Sequence, residues 1–415
     1  MNEKKENVIA GDYHMLKNKS EPSKKRCFTI ARAAMSLASG HSLSRNPVPI
    51  GRMFEADLKE IKGTRAWDGQ HCQVFKDDIA NSMRQEHEGT HLLKDSPACH
   101  DILALSGGGA NGAFGAGVLC GWSQAGTRPK FKIVTGISTG SIIAASAFIG
   151  SEYDDMLKEI YTTITTANIF NARNLISWFW NESFADTKPL KALIEKYADK
   201  SVLKTIAKEH NTGRRLYLGT TNLDAQRLMV WNMGVIANSG HPDALNLFRK
   251  VVLAALSLPC IFPPVYFDVE VDGRFYDEMH VDGGMITDAF ISDFMLNFSA
   301  NGKKKEKTES RVYVIRNDKL MPAPEQVSRN LPKITRRALA TLNKAHGEDH
   351  LHYIYTIARR NHADFNYIGI PEDCALPDKL TFDQKGMNKL FGLGQELAKS
   401  GCKWHKKPPT LNILD

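Results

Sequence analysis

The serine at position 138 lies in a pattern suited to nucleophilic attack on an ester. It stands between Gly136 and Gly140 in the segment Gly-Ile-Ser-Thr-Gly. In a strand-turn-helix context such a serine projects from a sharp turn, and the small residues two positions away relieve the crowding of that turn. The spacing makes Ser138 a candidate nucleophile and assigns Gly136 and Gly140 a supporting role.

A glycine-rich loop upstream is a candidate oxyanion hole. Gly107, Gly108 and Gly109 are followed by Asn111 and Gly112. Glycines leave their backbone N–H groups unshielded and conformationally free, so several of them can point at one developing oxyanion. We expect Asn111 and Gly112 to support this loop.

The same loop fits the Gly-x-Gly-x-x-Gly fingerprint of dinucleotide-binding proteins. That fingerprint needs an acidic residue about twenty positions further on, at the end of the next strand, to bind the ribose. Val134 and Thr135 occupy that place. The sequence therefore favours an oxyanion hole over a nucleotide site.

An aspartate far downstream is a candidate catalytic base. Asp282 precedes Gly283 and Gly284, which leave the approach to its carboxylate open. Asp-Gly pairs also mark ordinary turns, so this motif is weak by itself. Because a free aspartate with a pKa near 4 is a poor base for a hydroxyl, the chemistry would require a dry pocket.

Alternating strand and helix patterns surround these motifs. A strand at 101–106 precedes the glycine loop, and a helix at 113–122 follows it. A strand at 131–135 precedes Ser138, and a helix at 141–148 follows it. Further strand patterns lie at 215–220, 228–231, 266–270 and 312–316. This alternation predicts an α/β fold with a largely parallel central sheet flanked by helices.

The composition is that of a globular protein. The chain has 415 residues, of which 42% are hydrophobic and 24% are charged, and this excludes the disordered, collagen-like and disulfide-scaffold classes. No apolar run approaches the roughly eighteen residues of a membrane-spanning helix. The net charge of +8 suits an anionic membrane or nucleic acid, or simply solubility, and selects none of them.

Together, the three motifs resemble those of the patatin-like phospholipase family. That family carries a G-G-G-x-[K/R]-G loop, a G-x-S-x-G turn and a D-G-[G/A] segment in this order on one α/β domain of three layers. The resemblance implies that Ser138 is the nucleophile, that Asp282 is its base without a histidine, and that Gly107, Gly108 and Gly109 are oxyanion donors. It implies hydrolysis of phospholipids or related lipid esters at a membrane surface, with no metal, cofactor or nucleic acid.

The resemblance extends over about 101–290 and has one departure. Residues 257–264, Ser-Leu-Pro-Cys-Ile-Phe-Pro-Pro, are similar to a segment that the family carries shortly before its aspartate. Asn111 stands where the family has Lys or Arg in the glycine loop, so cationic assistance there is in doubt. The chain resembles bacterial members most, and several of those are secreted or lipoprotein forms.

The sequence predicts four regions. Residues 1–50 are a basic, poorly ordered tail or a degenerate targeting segment, since Arg32 interrupts the apolar run after Lys24-Lys25-Arg26. Residues 51–99 form an arm, 100–320 the catalytic domain and 321–415 a mostly helical extension. The chain is expected to be soluble or peripheral to a membrane, with export from a bacterial cell left open, and its oligomeric state is not predicted.

Histidines offer a different base. A serine, acid and histidine triad in the α/β-hydrolase order would use one histidine from a probable polar helix or its surroundings. The candidates are His346, His350, His352 and His362. We expect these side chains to be solvated, and we expect His280 to pack beside Asp282 rather than to catalyse.

Other chemistries have weaker signals. His87-Glu88-Gly89-Thr90-His91 fits the zinc motif H-E-x-x-H, but Gly89 and Thr90 weaken the helix it requires. The aromatic run 175–180 would be core or an acyl groove, and residues 220–224 a turn or support for the site. A catalytically silent lipid-binding protein on the same fold is the remaining alternative.

Overall fold

A computed structural model describes residues 44–59, 61–70, 72–89, 99–172, 182–296, 309–376, 379 and 381–413. From Asn46 onward these residues form one compact unit.

Twelve strands are present in the described residues. Ten of them form one sheet, and β5 and β6 form a separate two-stranded ribbon. The strands are β1 (Asp57–Leu58), β2 (Arg65–Trp67), β3 (Cys99–Leu105), β4 (Ile133–Ile137), β5 (Asn171–Ala172), β6 (Ala185–Asp186), β7 (Arg215–Asn222), β8 (Arg227–Asn232), β9 (Val265–Val271), β10 (Arg274–Asp282), β11 (Glu309–Arg316) and β12 (Asp364–Gly369).

The sheet has a parallel part and an antiparallel part. Its main path runs β1-β9-β10-β7-β4-β3-β11-β12, and β8 joins β7 and β2 beside that path. The five strands from β7 to β12 are parallel. The pairings that involve β1, β2, β8, β9 and β10 are antiparallel. The α/β prediction is confirmed, although only this half of the sheet is parallel.

Eleven α-helices accompany the sheet within the described ranges. They are α1 (Gln73–Gly89), α2 (Gly112–Gln124), α3 (Thr139–Ile149), α4 (Asp154–Thr163), α5 (Thr166–Ile169), α6 (Lys188–Tyr197), α7 (Lys200–Asn211), α8 (Met233–Asn238), α9 (Ala244–Leu256), α10 (Leu331–Arg360) and α11 (Gln384–Lys399). None of them has the length and apolar character to cross a bilayer.

Two hydrophobic cores lie on opposite faces of the sheet. In β3, Leu103 and Leu105 join the core that contains α2, α3 and α11, whereas Ile102 and Ala104 join the core that contains α1 and α10. This alternation follows from the period of two in a strand, and both faces are apolar because helices cover both. The molecule therefore has three layers.

Sequence patterns identified the elements around the first two motifs. The strand predicted at 131–135 is β4, which extends to Ile137 and leads directly into the serine turn. Six strands were not predicted, namely β1, β2, β5, β6, β10 and β12. Of these, β10 carries Asp282 at its end, and β12 lies inside the region expected to be mostly helical. The boundaries proposed at residues 50, 100 and 320 stay predictions.

Candidate active site

Ser138 occupies a strained turn between β4 and α3. Its φ is 52° and its ψ is −129°, and a positive φ is uncommon for a residue with a side chain. Its carbonyl accepts a hydrogen bond from the N–H of Ser141 at 2.8 Å, which closes the first turn of α3. The amino terminus of α3 thus adjoins the serine, where the helix dipole favours negative charge.

The two flanking glycines permit this turn. A Cβ at Gly136 would lie 2.5 Å from the carbonyl oxygen of Gly140, and one at Gly140 would lie 2.4 Å from that of Leu105. Both distances are shorter than any real contact of a Cβ. The spacing that identified Ser138 therefore reflects backbone contacts between β4, α3 and the end of β3.

Asp282 is buried beside Ser138. The aspartate is 3% exposed at the end of β10, and its Oδ1 accepts the N–H of Gly284 at 2.7 Å. Burial raises the pKa of Asp282 to about 6, against the lowering effect of the hydrogen bonds from Ser138 and Gly284. The dry pocket that a carboxylate base requires is therefore present.

β7 separates the strands that carry Ser138 and Asp282. Ile137 pairs with Gly219 of β7 on one side, and Asp282 pairs with Thr220 on the other. A Cβ at Gly219 would lie 2.4 Å from Cδ1 of Ile137, and one at Gly283 would lie 2.6 Å from the carbonyl oxygen of Gly219. Glycine at both positions lets the strand ends approach each other.

The glycine loop lies beside Ser138. A Cβ at Gly107 would lie 3.2 Å from Cβ of Ser138. The prediction for Gly107 needs correction, because its N–H already donates to the carbonyl of Asp288 at 3.0 Å. Within the described residues the structure gives no acceptor for the N–H groups of Gly108 and Gly109. These two amides are the candidate oxyanion donors.

Neighbouring backbone fixes the shape of the loop. A Cβ at Gly108 would lie 2.5 Å from the carbonyl oxygen of Asn317, and one at Gly109 would lie 2.3 Å from that of Lys379. Gly109 also has a φ of 56°, a value that favours glycine. The C-terminal part of the chain therefore packs directly against the loop.

Asn317 anchors the loop from the end of β11. Its backbone N–H donates to Oγ of Ser106 at 2.8 Å, and its Nδ2 donates to the carbonyl of Ser106 at the same distance. Its Oδ1 accepts the N–H of Gly115 at 2.9 Å. The sequence analysis missed this residue, since 211 positions separate it from Ser106.

Asn111 and Gly112 lie where the loop enters α2. Asn111 is fully buried, and neither polar atom of its side chain has a hydrogen-bond partner in the described part of the chain. A Cβ at Gly112 would lie 2.5 Å from Oγ1 of Thr139. Gly112 thus allows α2 to begin against the first residue of α3.

A partly buried ion pair involves Asp288, which binds the glycine loop. Nη1 of Arg316 is 2.8 Å from Oδ2 of Asp288, the residue whose carbonyl binds Gly107. Asp288 and Arg316 line a cavity of about 10 Å³ together with Ser106 and His350. Burial lowers the pKa of His350 and favours the neutral imidazole. The ion pair thereby helps to position Asp288, whose carbonyl binds the N–H of Gly107.

The other candidate histidines have structural contacts. Both ring nitrogens of His280 are engaged, Nδ1 with Oγ1 of Thr220 at 2.8 Å and Nε2 with Oε2 of Glu278 at 3.1 Å. Burial lowers the pKa of His280. Nε2 of His352 contacts Oγ1 of Thr410 at 2.6 Å, and the rings of His346 and His350 are 6.1 Å apart. None of these contacts involves Ser138.

The weaker motifs have separate outcomes. The helix that carries His87 ends at Gly89. Thr90, His91 and the aromatic run 175–180 lie outside the described residues. Among the residues that the structure describes, no cluster of His, Cys, Asp and Glu has the arrangement of a metal site. Thr220 contacts His280, and Oδ1 of Asn222 accepts the N–H of Ala225 in the turn after β7.

The segment 257–264 contacts the strand that bears the aspartate. The backbone N–H of Asp282 donates to the carbonyl of Ser257 at 2.9 Å. The N–H of Phe262 in turn donates to the carbonyl of Leu258 at 2.9 Å. The segment that sequence analysis singled out therefore helps to fix the position of Asp282.

Comparison with known proteins identifies one matching family and several similar solved structures. The model of the patatin-like phospholipase family matches residues 103–295, whereas no curated protein sequence matches the chain. VipD from Legionella pneumophila is similar in structure at 10% identity and a TM-score of 0.32, over 72% of this chain and 68% of VipD.

The type III effector protein ExoU is similar at 12% identity and a TM-score of 0.30, over 73% of this chain and 52% of ExoU. The match thus spans about half the length of ExoU. The family match contains the glycine loop, Ser138 and Asp282. Residues 103–295 are therefore similar to the patatin-like phospholipase family.

Proposed function

We propose that this protein is a serine acyl hydrolase that cleaves the acyl esters of phospholipids or related lipids. Ser138 is the nucleophile in this proposal, and Asp282 is its general base. The observation that carries the proposal is the contact between Ser138 and a buried aspartate whose pKa is raised to about 6. A carboxylate of that basicity can accept a proton at neutral pH and return it later.

The first half of the reaction forms an acyl-enzyme. Asp282 takes the hydroxyl proton as Oγ of Ser138 attacks the ester carbonyl. The N–H groups of Gly108 and Gly109 stabilise the oxyanion of the tetrahedral intermediate, and one such donor typically contributes about 10²- to 10³-fold in rate. The intermediate then collapses, and the leaving alcohol takes the proton from Asp282.

The second half releases the fatty acid. Asp282 accepts a proton from a water molecule that attacks the acyl carbonyl. When the second tetrahedral intermediate collapses and the fatty acid leaves, Asp282 returns that proton to Oγ of Ser138. Both halves require an ionised Asp282. The rate should therefore rise with pH through the region near 6, where Asp282 loses its proton.

Fatty acid release from phospholipid vesicles tests the proposal. Ser138→Ala and Asp282→Asn should both lower the rate to background. Ser141→Ala is a matched control, because this serine is also buried at the start of α3 and its Oγ has no partner among the described residues. Wild-type rates in Ser138→Ala would refute the proposal.

The same assay separates a dyad from a triad. If Asp282→Asn keeps its activity while replacement of His346, His350, His352 or His362 abolishes it in folded protein, a histidine is the base. No release in any chain, with Ser138 unreactive, would favour the catalytically silent lipid-binding alternative.

A further inference from the structure

Helix α10 has two halves with opposite surroundings. Its buried residues are Gly347, Leu351, Ile354, Ile357 and Ala358, all of them in the second half. In the first half, by contrast, apolar side chains are open to solvent, with exposed fractions of 77% for Leu331, 51% for Ile334, 54% for Leu339 and 56% for Leu342. The described part of the molecule leaves these apolar side chains uncovered, whereas Arg336, Arg337 and Lys344 of the same half form ion pairs with Glu325 or Asp318.

The exposed apolar residues form a stripe along the helix. Leu331, Ile334, Ala338, Leu342 and Ala345 follow one another at intervals of three and four positions, which places them on one face. Leu339 lies at the border of this face. We call this set the apolar stripe. The apolar face of a surface helix normally packs against a protein core. In the described residues the apolar stripe has no such packing partner.

Basic residues accompany the stripe. Lys333, Arg336 and Arg337 lie on the other side of the helix, and Arg329 precedes it. Between positions 326 and 347 the sequence has no acidic residue. Glu325 pairs with Arg336 and Arg337 at one end, and this compensates only part of the charge. The surface is therefore both apolar and cationic.

This half of the helix projects from the end of the sheet at which the parallel strands terminate. The candidate active site lies at the same end. Gly347 packs against the guanidinium of Arg316, the last residue of β11. Everything before Gly347 thus extends beyond the carboxyl ends of the parallel strands. The helix of 30 residues is about 45 Å long, whereas the six residues of β12 span about 20 Å. Ser138 follows β4 at that same edge.

We propose that residues 329–346 form a docking helix for an anionic lipid bilayer. The apolar stripe would enter the boundary between headgroups and acyl chains, and the basic side would face the anionic headgroups. This inference rests on the proposed function in one respect: docking at this edge brings the candidate active site to a lipid substrate.

The charges argue against two other occupants. A second copy of the chain would bring two cationic helices together, and their repulsion opposes that contact. A nucleic acid would satisfy the basic side but leave the apolar stripe in water. A bilayer that contains acidic lipids satisfies both sides at once.

Vesicle flotation of the full chain tests the docking helix. All proteins carry Ser138→Ala, so that the vesicles are not hydrolysed. This parent should float with vesicles made of equal parts phosphatidylcholine and phosphatidylglycerol, but not with vesicles of phosphatidylcholine alone. Ile334→Gln with Leu342→Gln should lower the bound fraction about tenfold. Lys333→Gln with Arg336→Gln should also weaken binding and reduce its dependence on salt.

Ala340→Gln with Asn343→Gln is the matched control on the opposite side of the helix. It should keep binding within about twofold of the parent, since it leaves the stripe and the charge unchanged. Flotation of the stripe variant equal to that of the parent would overturn the proposal. So would a parent that ignores both kinds of vesicle, or a concentration-dependent dimer that only the stripe variant loses.

A soluble ester distinguishes docking from chemistry. In chains that retain Ser138, the stripe and control variants should both hydrolyse 4-nitrophenyl butyrate at the wild-type rate. If none of the chains turns over this ester or phospholipid, the proposed function fails while the flotation result stands by itself. A loss of soluble-ester turnover in the stripe variant alone would contradict a docking role.

Discussion

At the scale of single residues, the site keeps a carboxylate where an apolar environment opposes its charge. Burial raises the pKa of Asp282 from the ordinary value of 3.8 to about 6. In the folded state this side chain therefore binds a proton more tightly than in the unfolded chain. Folding stability due to Asp282 must fall as pH rises from about 4 to about 6, because ionisation is penalised only in the folded state.

Asp282→Asn should therefore stabilise the protein while abolishing its activity. At pH 7 the penalty of ionisation amounts to at most about 3 kcal/mol, since each pKa unit corresponds to about 1.4 kcal/mol. We expect a gain of about 1–3 kcal/mol in the free energy of unfolding at pH 7. Urea denaturation of wild type and variant at pH 7 and pH 4 measures this gain.

The comparison between the two pH values contains the control. At pH 4 the wild-type side chain is protonated in the folded state, so most of the gain should disappear. An equal gain at both pH values would attribute the effect to packing. A loss of stability at pH 7 would contradict the raised pKa.

Short sequence motifs predicted the two candidate catalytic residues. Ser138 and Asp282 could be identified because each lies within a few positions of glycines that permit the local backbone contacts. Asn317 and Gly219 were not, because their partners are distant in sequence and meet them only through the order of strands. Gly107 shows a related limit. The glycine-rich sequence predicted that its N–H would be an oxyanion donor, but in the structure this N–H donates to the carbonyl of Asp288.

At the scale of elements, the glycine loop depends on a helix from the far end of the chain. α2 and α11 pack so closely that side chains would separate them. A Cβ at Gly117 would lie 2.0 Å from the carbonyl oxygen of Phe391, and one at Gly394 would lie 2.3 Å from that of Phe114. This contact explains why α11 belongs to the same core as the helix that follows the loop.

Two glycines of α11 offer a matched pair of substitutions. Gly394→Ala should lower the free energy of unfolding by about 1–3 kcal/mol, because the added methyl forces the two helices apart. Gly392→Ala should raise it by up to about 1 kcal/mol, because a Cβ there meets nothing within 4 Å and alanine favours the helix. Urea denaturation at neutral pH measures both.

The sign of the difference decides the interpretation. If Gly394→Ala and Gly392→Ala change the free energy of unfolding equally, helix propensity alone determines the effect. That result would contradict the close packing of α2 against α11. Destabilisation by Gly392→Ala would equally contradict the open space beside it.

Short apolar runs next to glycine motifs predicted β3, β4, α2 and α3, because these elements are buried almost throughout their length. β10 was missed since its burial is irregular and its first half is open to solvent. β12 was missed because it is a short strand between two long helices. The only sequence feature of the packing of α2 against α11 is the presence of glycines at the contact. Because glycines occur in sequences for many other reasons, this packing could not be predicted.

At the scale of the whole molecule, one sheet unites segments from both flanks of the family domain. β1 and β2 come from before residue 99, and β11 and β12 come from after the last residue that the family model matches. Asn317 and Lys379, which also lie beyond that match, contact the glycine loop. The shape of the candidate site thus depends on chain that the family pattern does not cover.

The structure shows where part of the net charge of +8 lies in the molecule. Part of it lies on the docking helix, at the edge of the sheet where Ser138 follows β4. Composition alone left the charge without a partner, since it carries no information on where the basic residues meet apolar ones. The structure places the two properties on opposite sides of one exposed helix.

The central claim is that Ser138 is the nucleophile and Asp282 its base, and covalent labelling tests it most directly. Wild-type protein is treated with a fluorophosphonate, and the adduct is mapped by mass spectrometry of peptides. We expect one adduct on Ser138, unchanged in Ser141→Ala, absent in Ser138→Ala and formed far more slowly in Asp282→Asn. An adduct on a different residue, or none in protein that releases fatty acid, would contradict the account.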